Sequence, residues 1–241
     1  MIKKPSNKTS NLSKLVDSQK DKFLEYQKFQ FSWHYLEKPF LEKLIKPLNK
    51  STTKILDAGC GNGRGIEYLV NKGFKDENIV GIDISSELLK ECNIKFPKVR
   101  TYKTDLIKFN SKIKFDLIIS IHVLVYLNNK DLKKSLINLR KHLKSNGKLF
   151  LIIAHPVWVT RNNLKEYFKR DWIDTKTPWG TSFPQYLSPL SDIFNVITES
   201  GMKIVRVEEP EVPVIAKKKD KDDYEKYTSC PSRLVITAIK D

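Results

Sequence analysis

The stretch that decides the fold is Ile55-Leu56-Asp57-Ala58-Gly59-Cys60-Gly61-Asn62-Gly63-Arg64. Its apolar start predicts a short buried strand, and apolar residues at helical spacing resume at Ile66, so the glycines lie in a strand-to-helix turn. Glycines in such a turn bend the backbone tightly and let a ligand approach without a Cβ in the way. We therefore expect a ligand-binding turn at the carboxyl end of the first strand.

A dinucleotide-binding turn is the obvious alternative, because it also joins a strand to a helix through glycines. It requires the pattern Gly-x-Gly-x-x-Gly. Counted from Gly59, the third glycine position is Arg64, and counted from Gly61 it is Ile66. Asp57 at the strand end would also repel a pyrophosphate, whereas it suits a ligand that carries an ammonium group. The turn therefore favours a cationic ligand.

Strands and helices alternate on both sides of this turn. Short apolar runs predict strands at 54–58, 78–83, 99–102, 115–120 and 148–154, with helical patterns between them. This alternation predicts parallel βαβ units covered by helices on both faces. Two last strands, at 203–208 and 234–239, are expected to form a hairpin-like pair at the sheet edge.

The 241 residues suffice for one sizeable core with additions. Residues 1–20 lack hydrophobic content and predict a disordered or loosely docked start. Residues 21–50 predict an N-terminal helical cap, and residues 51–241 form the main domain. An insertion at 156–187 is irregular in pattern but rich in aromatic residues, which indicates a lid over a strand-end cleft.

Composition narrows the function classes. No apolar run approaches the roughly 20 residues that span a bilayer, and no signal-like stretch follows Met1, so we expect a cytoplasmic protein with no membrane partner. The three cysteines are far apart and predict neither disulfides nor a zinc site. The net charge of +16 comes mostly from lysines spread along the chain, which favours a solvated surface over a nucleic-acid footprint.

Carboxylates follow the next two predicted strands. Asp83 ends the second strand, where it can accept both hydroxyls of a ribose bound over the glycine turn. Asp105 follows the third strand, where it can accept from an exocyclic amine. Simpler explanations are a helix cap for Asp83 and a solvated loop residue for Asp105. Together with the glycine turn, the ribose role is favoured for Asp83.

These elements resemble class I S-adenosylmethionine-dependent methyltransferases. The resemblance covers residues 35–241 and includes the full Asp-x-Gly-x-Gly-x-Gly pattern, the strand ending at Asp83, the pair Asp105-Leu106 and the run at 114–120. It implies a doubly wound, Rossmann-like α/β sheet of seven strands whose last strand is antiparallel. It also implies S-adenosylmethionine as cofactor, S-adenosylhomocysteine as product, and no metal.

The resemblance also assigns cofactor contacts. The glycine turn would hold the methionine part, Asp83 the ribose, and Asp105 with Leu106 would frame the adenine. The predicted cofactor-binding residues are Asp57, Gly59, Cys60, Gly61, Gly63, Asp83, Ile84, Asp105, Leu106 and Ile121.

A narrower resemblance concerns bacterial-type small-molecule methyltransferases with a His-Pro element after the fifth strand. It rests on Glu37-Lys38-Pro39, Ala154-His155-Pro156 and residues 208–213. In-line methyl transfer needs neither a metal nor a covalent nucleophile, but a general base helps when the acceptor is a hydroxyl or an ammonium. His155 is the predicted base because it follows the fifth strand, and the alternative is a histidine that hydrogen-bonds the nearby backbone. His122, just past the fourth strand, is a second candidate.

The insertion supplies the predicted acceptor-binding aromatics, which are Trp158, Tyr167, Trp172 and Trp179. A loop core packed on itself is the alternative for these rings. The first functional hypothesis is methylation of a small-molecule acceptor by a monomer or homodimer. An RNA (tRNA or rRNA) methyltransferase is the alternative, because basic residues interleave with the rings. A non-catalytic partner subunit and an aminopropyl transferase are further alternatives, against which stand the intact glycine turn and the basic, aromatic surroundings of His155.

Overall fold

A computed structural model describes residues 8–27, 30–177 and 180–240 of the chain. Seven strands form one sheet and two form a separate hairpin. In chain order the strands are β1 Ile55–Ala58, β2 Ile79–Asp83, β3 Arg100–Lys103, β4 Phe115–Ile121, β5 Leu143–Ala154, β6 Trp172–Lys176, β7 Ser182–Tyr186, β8 Met202–Glu208 and β9 Arg233–Lys240. The large sheet has the order β3-β2-β1-β4-β5-β9-β8, and β9 runs antiparallel to both of its neighbours. The predicted seven-stranded sheet with an antiparallel last strand is therefore confirmed.

Helices cover both faces of this sheet. They are α1 Lys8–Ser18, α2 Lys20–Gln27, α3 Lys38–Ile45, α4 Arg64–Asn71, α5 Ser86–Lys95, α6 Asn129–His142, α7 Pro156–Thr160, α8 Leu190–Glu199 and α9 Lys221–Thr228. A π-helix, Trp33–Glu37, runs directly into α3. Ser85 caps α5 as its sequence position predicts, since its hydroxyl accepts from the backbone N–H of Leu88 at 3.0 Å.

The central strands are buried on both faces, which explains their unbroken apolar runs. On β1, Leu56 faces a core that includes Ile118, Leu149 and residues of α6 and α8. The adjacent Ile55 faces the opposite core, with Leu117, Phe150 and residues of α3, α4 and α5. Because successive strand residues point to opposite faces, one short strand anchors both helical layers. The carboxyl ends of the parallel strands are thereby held in fixed positions.

A disordered or loosely docked segment is expected over residues 1–20, and this part of the chain contains α1. Residues 1–7 lie outside the described ranges, but α1 rests on the main domain. Its Ser13 hydroxyl donates to the carbonyl of Ile84 at 2.9 Å, and Asp17 accepts a hydrogen bond from the Ser85 hydroxyl. The helix gains its order from these side-chain contacts with the β2–α5 loop, which local composition does not reveal.

The insertion is also more regular than its sequence suggests. After α7 it forms the antiparallel hairpin β6–β7. Phe183 of β7 is 3% exposed and packs edge-on against Tyr126 at 5.0 Å. At the hairpin tip, Gly180 has φ +81°, and the hydroxyl of Thr181 donates to the side chain of Gln19. The hairpin and the N-terminal helices therefore meet over the carboxyl edge of the sheet. None of the described helices has the length and apolar character needed to span a bilayer.

Candidate cofactor and acceptor site

The glycine turn after β1 adopts a backbone that excludes side chains. Gly59, Gly61 and Gly63 have φ angles of +90°, +54° and +88°, which L-residues with a Cβ rarely adopt. A Cβ on Gly59 would lie 2.2 Å from Cγ2 of Val123. The Gly59 backbone N–H also donates to the carbonyl of Ile82 at 2.8 Å, so β2 holds the turn in place. The turn is therefore a closely packed cradle at the strand ends.

Asp83 faces this cradle from the end of β2. One carboxylate oxygen accepts from the backbone N–H of Gly61 at 2.8 Å, and the other accepts from that of Ser85 at 2.8 Å. Burial raises the pKa of Asp83, and these backbone hydrogen bonds oppose that rise. Each carboxylate oxygen has more than one lone pair, so it can still accept from a ligand hydroxyl. The predicted ribose-binding group is therefore held beside the glycine turn.

Asp57 lies beneath the turn and is 4% exposed. Burial raises its pKa to about 7, the nearby Asp83 adds to the rise, and Arg64 opposes it. The carboxylate is close to the start of α4, since a Cβ on Gly65 would be 2.5 Å from its Oδ2. A ligand cation placed over the turn would stabilise the ionised form of Asp57, so this position fits an ammonium group.

The predicted adenine-framing pair lies after β3, where both residues already have structural partners. Asp105 accepts from the backbone N–H of Ile107 at 2.8 Å. Leu106 is 7% exposed and belongs to the core packed under α6. Its carbonyl accepts from the side-chain amide of Asn138 at 2.8 Å. The pair is therefore rigid, and Asp105 keeps the more open position of the two.

The three remaining predicted cofactor residues also lie at this edge. Cys60 is 6% exposed, and its pKa is raised by a hydrogen bond with Cys92 and by burial, so its thiol packs as part of the core. Ile84 is half-buried, and Ile121 is half-buried at the end of β4. Asp57, the glycines, Asp83 and these residues thus come together at the ends of β1, β2 and β4.

A second charged group, which sequence reasoning did not assemble, surrounds Glu37. This carboxylate is 0% exposed, and its Oε1 lies 2.8 Å from Nε2 of His122 and 3.0 Å from Nε of Arg233. Its Oε2 lies 3.7 Å from Nη2 of Arg64. Burial alone would raise the pKa of Glu37, but His122 and the two arginines outweigh it and hold the pKa well below its usual value. Glu37 is thus an ionised buried anchor for three side chains.

His122 is held in a strained conformation by its position after β4. Its φ of +58° is the one positive value among the non-glycine residues in the described ranges, and its N–H donates to the carbonyl of Ile152 at 2.8 Å. Burial lowers its pKa, Glu37 opposes that change, and the two nearby arginines add to it. The ring is therefore neutral near pH 7. Because Nε2 faces the Glu37 carboxylate, that nitrogen carries the proton and Nδ1 carries the lone pair.

His155, the first candidate for a general base, has a structural role in the fold. It is 1% exposed and is the N-cap of α7, where Nδ1 accepts from the backbone N–H of Val157 at 3.1 Å. Nε2 lies 2.9 Å from Oε1 of Glu209. Burial lowers the pKa of His155, and Glu209 opposes the change. Both ring nitrogens thus face protein groups, as the alternative interpretation of this histidine expects.

Of the predicted acceptor aromatics, the three that lie in the described ranges have separate partners. Trp158 stacks on Tyr227 at 5.0 Å with an interplanar angle of 12°. The Tyr167 hydroxyl accepts from the backbone N–H of Leu190 at 3.3 Å. Trp172 lies edge-on to its cross-strand partner in the hairpin, and Trp179 is outside the described residues. The described rings therefore pack within the insertion and its neighbours.

An apolar cavity lies under the hairpin, next to the end of β5. The cavity has a volume of about 40 Å³. Its lining includes Leu124, Leu127, Ile153, Ala154, Tyr186 and Leu187. Its apolar walls suit the hydrocarbon part of a ligand better than an ion. Within the described ranges, no group of three or more histidine, cysteine or acidic side chains is arranged to hold a metal ion.

Comparison with known proteins agrees with this architecture. Residues 55–147 match a family described as a methyltransferase domain. The chain is similar to the probable S-adenosyl-L-methionine-dependent methyltransferase TehB of Haemophilus influenzae, with 29% identity over 145 residues, 54% of this chain and 48% of that protein. It is also similar to trans-aconitate 2-methyltransferase of an Azoarcus species, with 30% identity over 133 residues, 55% of this chain and 48% of that one. The chain spans about half the length of the curated relatives it matches.

A solved structure extends the similarity over the whole chain. Magnesium protoporphyrin IX methyltransferase from Synechocystis, with bound S-adenosylmethionine, superimposes with a TM-score of 0.67, 15% identity and complete coverage of both chains. At this identity the similarity concerns the fold. The chain therefore has the class I S-adenosylmethionine-dependent methyltransferase fold, with the strand order seen above. Within it, residues 55–147 are the part that matches the methyltransferase-domain family.

Proposed function

We propose that this protein transfers a methyl group from S-adenosylmethionine to a small-molecule acceptor. The observation that carries the proposal is the joint placement of Asp57, Asp83 and the left-handed glycine turn at one edge of the sheet. The buried carboxylate of Asp57 fits the ammonium of the methionine part, and Asp83 fits the ribose hydroxyls. Gly59 packs directly against Val123, where a Cβ would not fit, so glycine is required for the shape of the turn.

When bound, S-adenosylmethionine supplies an electrophilic methyl group on a sulfonium. The protein's part is to hold donor and acceptor in line and to exclude water, which needs rigid groups around the strand ends. The hydrogen bonds from Gly61 and Ser85 fix Asp83, and those from the turn to Ile82 fix the cradle. The contact between Gln19 and Thr181 joins the N-terminal helices to the hairpin over this edge. Such cover suits a small acceptor better than a polymer.

We assign the general base to His122 and propose a structural role for His155. The Glu37 carboxylate orients the His122 ring and fixes the proton on Nε2, which leaves Nδ1 to accept a proton from an acceptor hydroxyl or ammonium. Its lowered pKa keeps it in the basic form at neutral pH. His155, by contrast, is enclosed by Val157 and Glu209.

The proposal is tested by incubating the purified protein with methyl-labelled S-adenosylmethionine and a cell extract. The extract is divided by size into small molecules and RNA, and each fraction is analysed for label. Label in the small-molecule fraction is the expected result. Label confined to RNA would support the RNA methyltransferase instead, and binding of the cofactor without any transfer would support a non-catalytic partner subunit.

A further inference from the structure

Two guanidinium groups meet at the Glu37 carboxylate. Among the described residues, Glu37 is the carboxylate that contacts both Arg64 and Arg233. The buried carboxylate of Asp57 also acts on Arg64 from the glycine turn. These contacts do not use every N–H donor of the two guanidinium groups, so the pair can still bind an anion from outside the chain.

Unpaired polar atoms lie in and beside this group. Within residues 8–27, 30–177 and 180–240, Nη1 of Arg64, Oε2 of Glu37 and Oγ of Ser232 are shielded from solvent and make no hydrogen bond. Ser232 is 1% exposed and precedes Arg233, whose Nη1 donates to the Ser232 carbonyl at 3.0 Å. Leaving a buried polar group unpaired is costly, and more so when it is charged. Nη1 of Arg64 and Oγ of Ser232 can each donate a hydrogen bond to a carboxylate, whereas Oε2 of Glu37 faces Nη2 of Arg64 at 3.7 Å.

The group is partly open to solvent through two of its side chains. The side chains of His122 and Arg64 remain 23% and 19% exposed, whereas Glu37 is 0% and Arg233 is 7% exposed. Arg233 begins β9, whose backbone is three strands from β1, or roughly 14 Å at the usual strand spacing. Its side chain covers part of this distance, since it meets Arg64, the residue after the glycine turn, at the Glu37 carboxylate. His122, the proposed general base, contacts the same carboxylate.

We propose that Arg233 and Arg64 bind a carboxylate of the methyl acceptor, next to His122. This inference rests on the proposed function and names its substrate class, a small carboxylic acid. The planar guanidinium group matches a carboxylate with two parallel hydrogen bonds, and Glu37 holds both arginines in place from the opposite side. The face of Trp33 lies 4.7 Å from the Arg64 guanidinium and limits its movement.

The probe is benzoate, with benzamide as its uncharged control, titrated calorimetrically into protein saturated with S-adenosylhomocysteine. Benzoate should bind at least tenfold more tightly than benzamide. Arg233→Gln should abolish this preference while the affinity for S-adenosylhomocysteine stays within twofold. Arg233→Lys keeps the charge but cannot form two parallel hydrogen bonds with one carboxylate, so it should lose most of the preference for benzoate. Arg206→Gln, at an exposed position of β8, is the matched control and should behave as wild type.

Equal affinities of the wild type for benzoate and benzamide would overturn the inference. It would also be overturned if Arg233→Gln weakened S-adenosylhomocysteine as much as benzoate, because the arginine would then bind the cofactor's own carboxylate. Thermal unfolding of each variant identifies any that misfold, and Arg64→Lys provides a second substitution that keeps the charge. If S-adenosylhomocysteine fails to bind the wild type, the proposed function fails, and benzoate titrated into the protein alone still tests the arginine pair.

Discussion

The two ends of the carboxyl edge of the sheet are built in different ways. The half around β1 and β2 is made by residues close in sequence, from Asp57 to Asp83, and its contacts are mostly to backbone groups. The half around β4, β5 and β9 depends on side chains far apart in sequence, since Glu37 and Arg233 are 196 residues apart. In the proposed function the first half binds the cofactor and the second binds the acceptor. Arg64 connects them, because it follows the glycine turn and contacts Glu37.

Because its contacts are mostly to backbone groups, the half around β1 and β2 should be the more sensitive of the two to one added methyl group. Gly59→Ala should weaken cofactor binding by about 4 kcal/mol, or about a thousandfold, because it combines an unfavourable left-handed backbone with a clash against Val123. Calorimetry with S-adenosylhomocysteine measures the loss.

Gly180→Ala is the matched control for this substitution. Gly180 has a similar φ of +81°, but a Cβ there would meet nothing within 4 Å. Its variant should be slightly less stable and bind the cofactor normally. Normal binding by Gly59→Ala would contradict the assignment of the turn.

In the acceptor half, His122→Gln should lower kcat about 100-fold, the usual contribution of a general base, and leave cofactor affinity within threefold. His155→Gln should instead lower the melting temperature, because it removes the cap of α7, with a smaller change in kcat. The two variants are compared by steady-state kinetics and thermal unfolding. A large kcat loss in His155→Gln with unchanged stability would restore His155 as the base.

Asp83→Asn removes the carboxylate charge beside the glycine turn while it keeps the size of the side chain. Loss of the charged hydrogen bonds to the ribose should cost about 1.5–3 kcal/mol in affinity, for the methyl donor and the product alike. Asp174→Asn, at an exposed position of the hairpin, is the control and should have no effect. Unchanged affinity in Asp83→Asn would remove the ribose assignment.

The smallest expected effect is the pH dependence of cofactor affinity. A ligand ammonium prefers the ionised form of Asp57, whose pKa is about 7 in the protein without ligand. Affinity for S-adenosylhomocysteine should therefore be full above pH 7 and should fall as the pH is lowered through 7, approaching tenfold per unit. Calorimetry between pH 5.5 and 8.5 measures the profile, and Asp57→Asn should flatten it. An unchanged profile in that variant would assign the titration to another group.

The same difference explains how far the sequence could predict the structure. The strand-turn-helix succession at the glycine turn and the positions of Asp57 and Asp83 follow from local patterns, and the sheet confirms the predicted fold class. Glu37 was visible only as part of a short motif, because its partners His122, Arg64 and Arg233 are brought to it by tertiary packing. The hairpin β6–β7 could not be predicted from the sequence because its strands are short and half-exposed, and Pro184 interrupts one of them.

The order of α1 could not be predicted for a related reason. Its composition is polar, and its contacts with the loop after β2 include a hydrogen bond that Ser13 donates to Ile84 and one that Asp17 accepts from Ser85. Such bonds depend on where the loop lies, which periodicity does not encode. The polar composition therefore predicts an unstable helix, whereas contacts with the domain stabilise it.

The central claim is that the edge formed by Asp57, the glycine turn and Asp83 binds S-adenosylmethionine. The most direct test is calorimetric titration of the nucleic-acid-free protein with S-adenosylhomocysteine at pH 8, where Asp57 is ionised. We expect one site per chain with micromolar affinity. Absence of binding at millimolar ligand, in protein that unfolds cooperatively on heating, would contradict it.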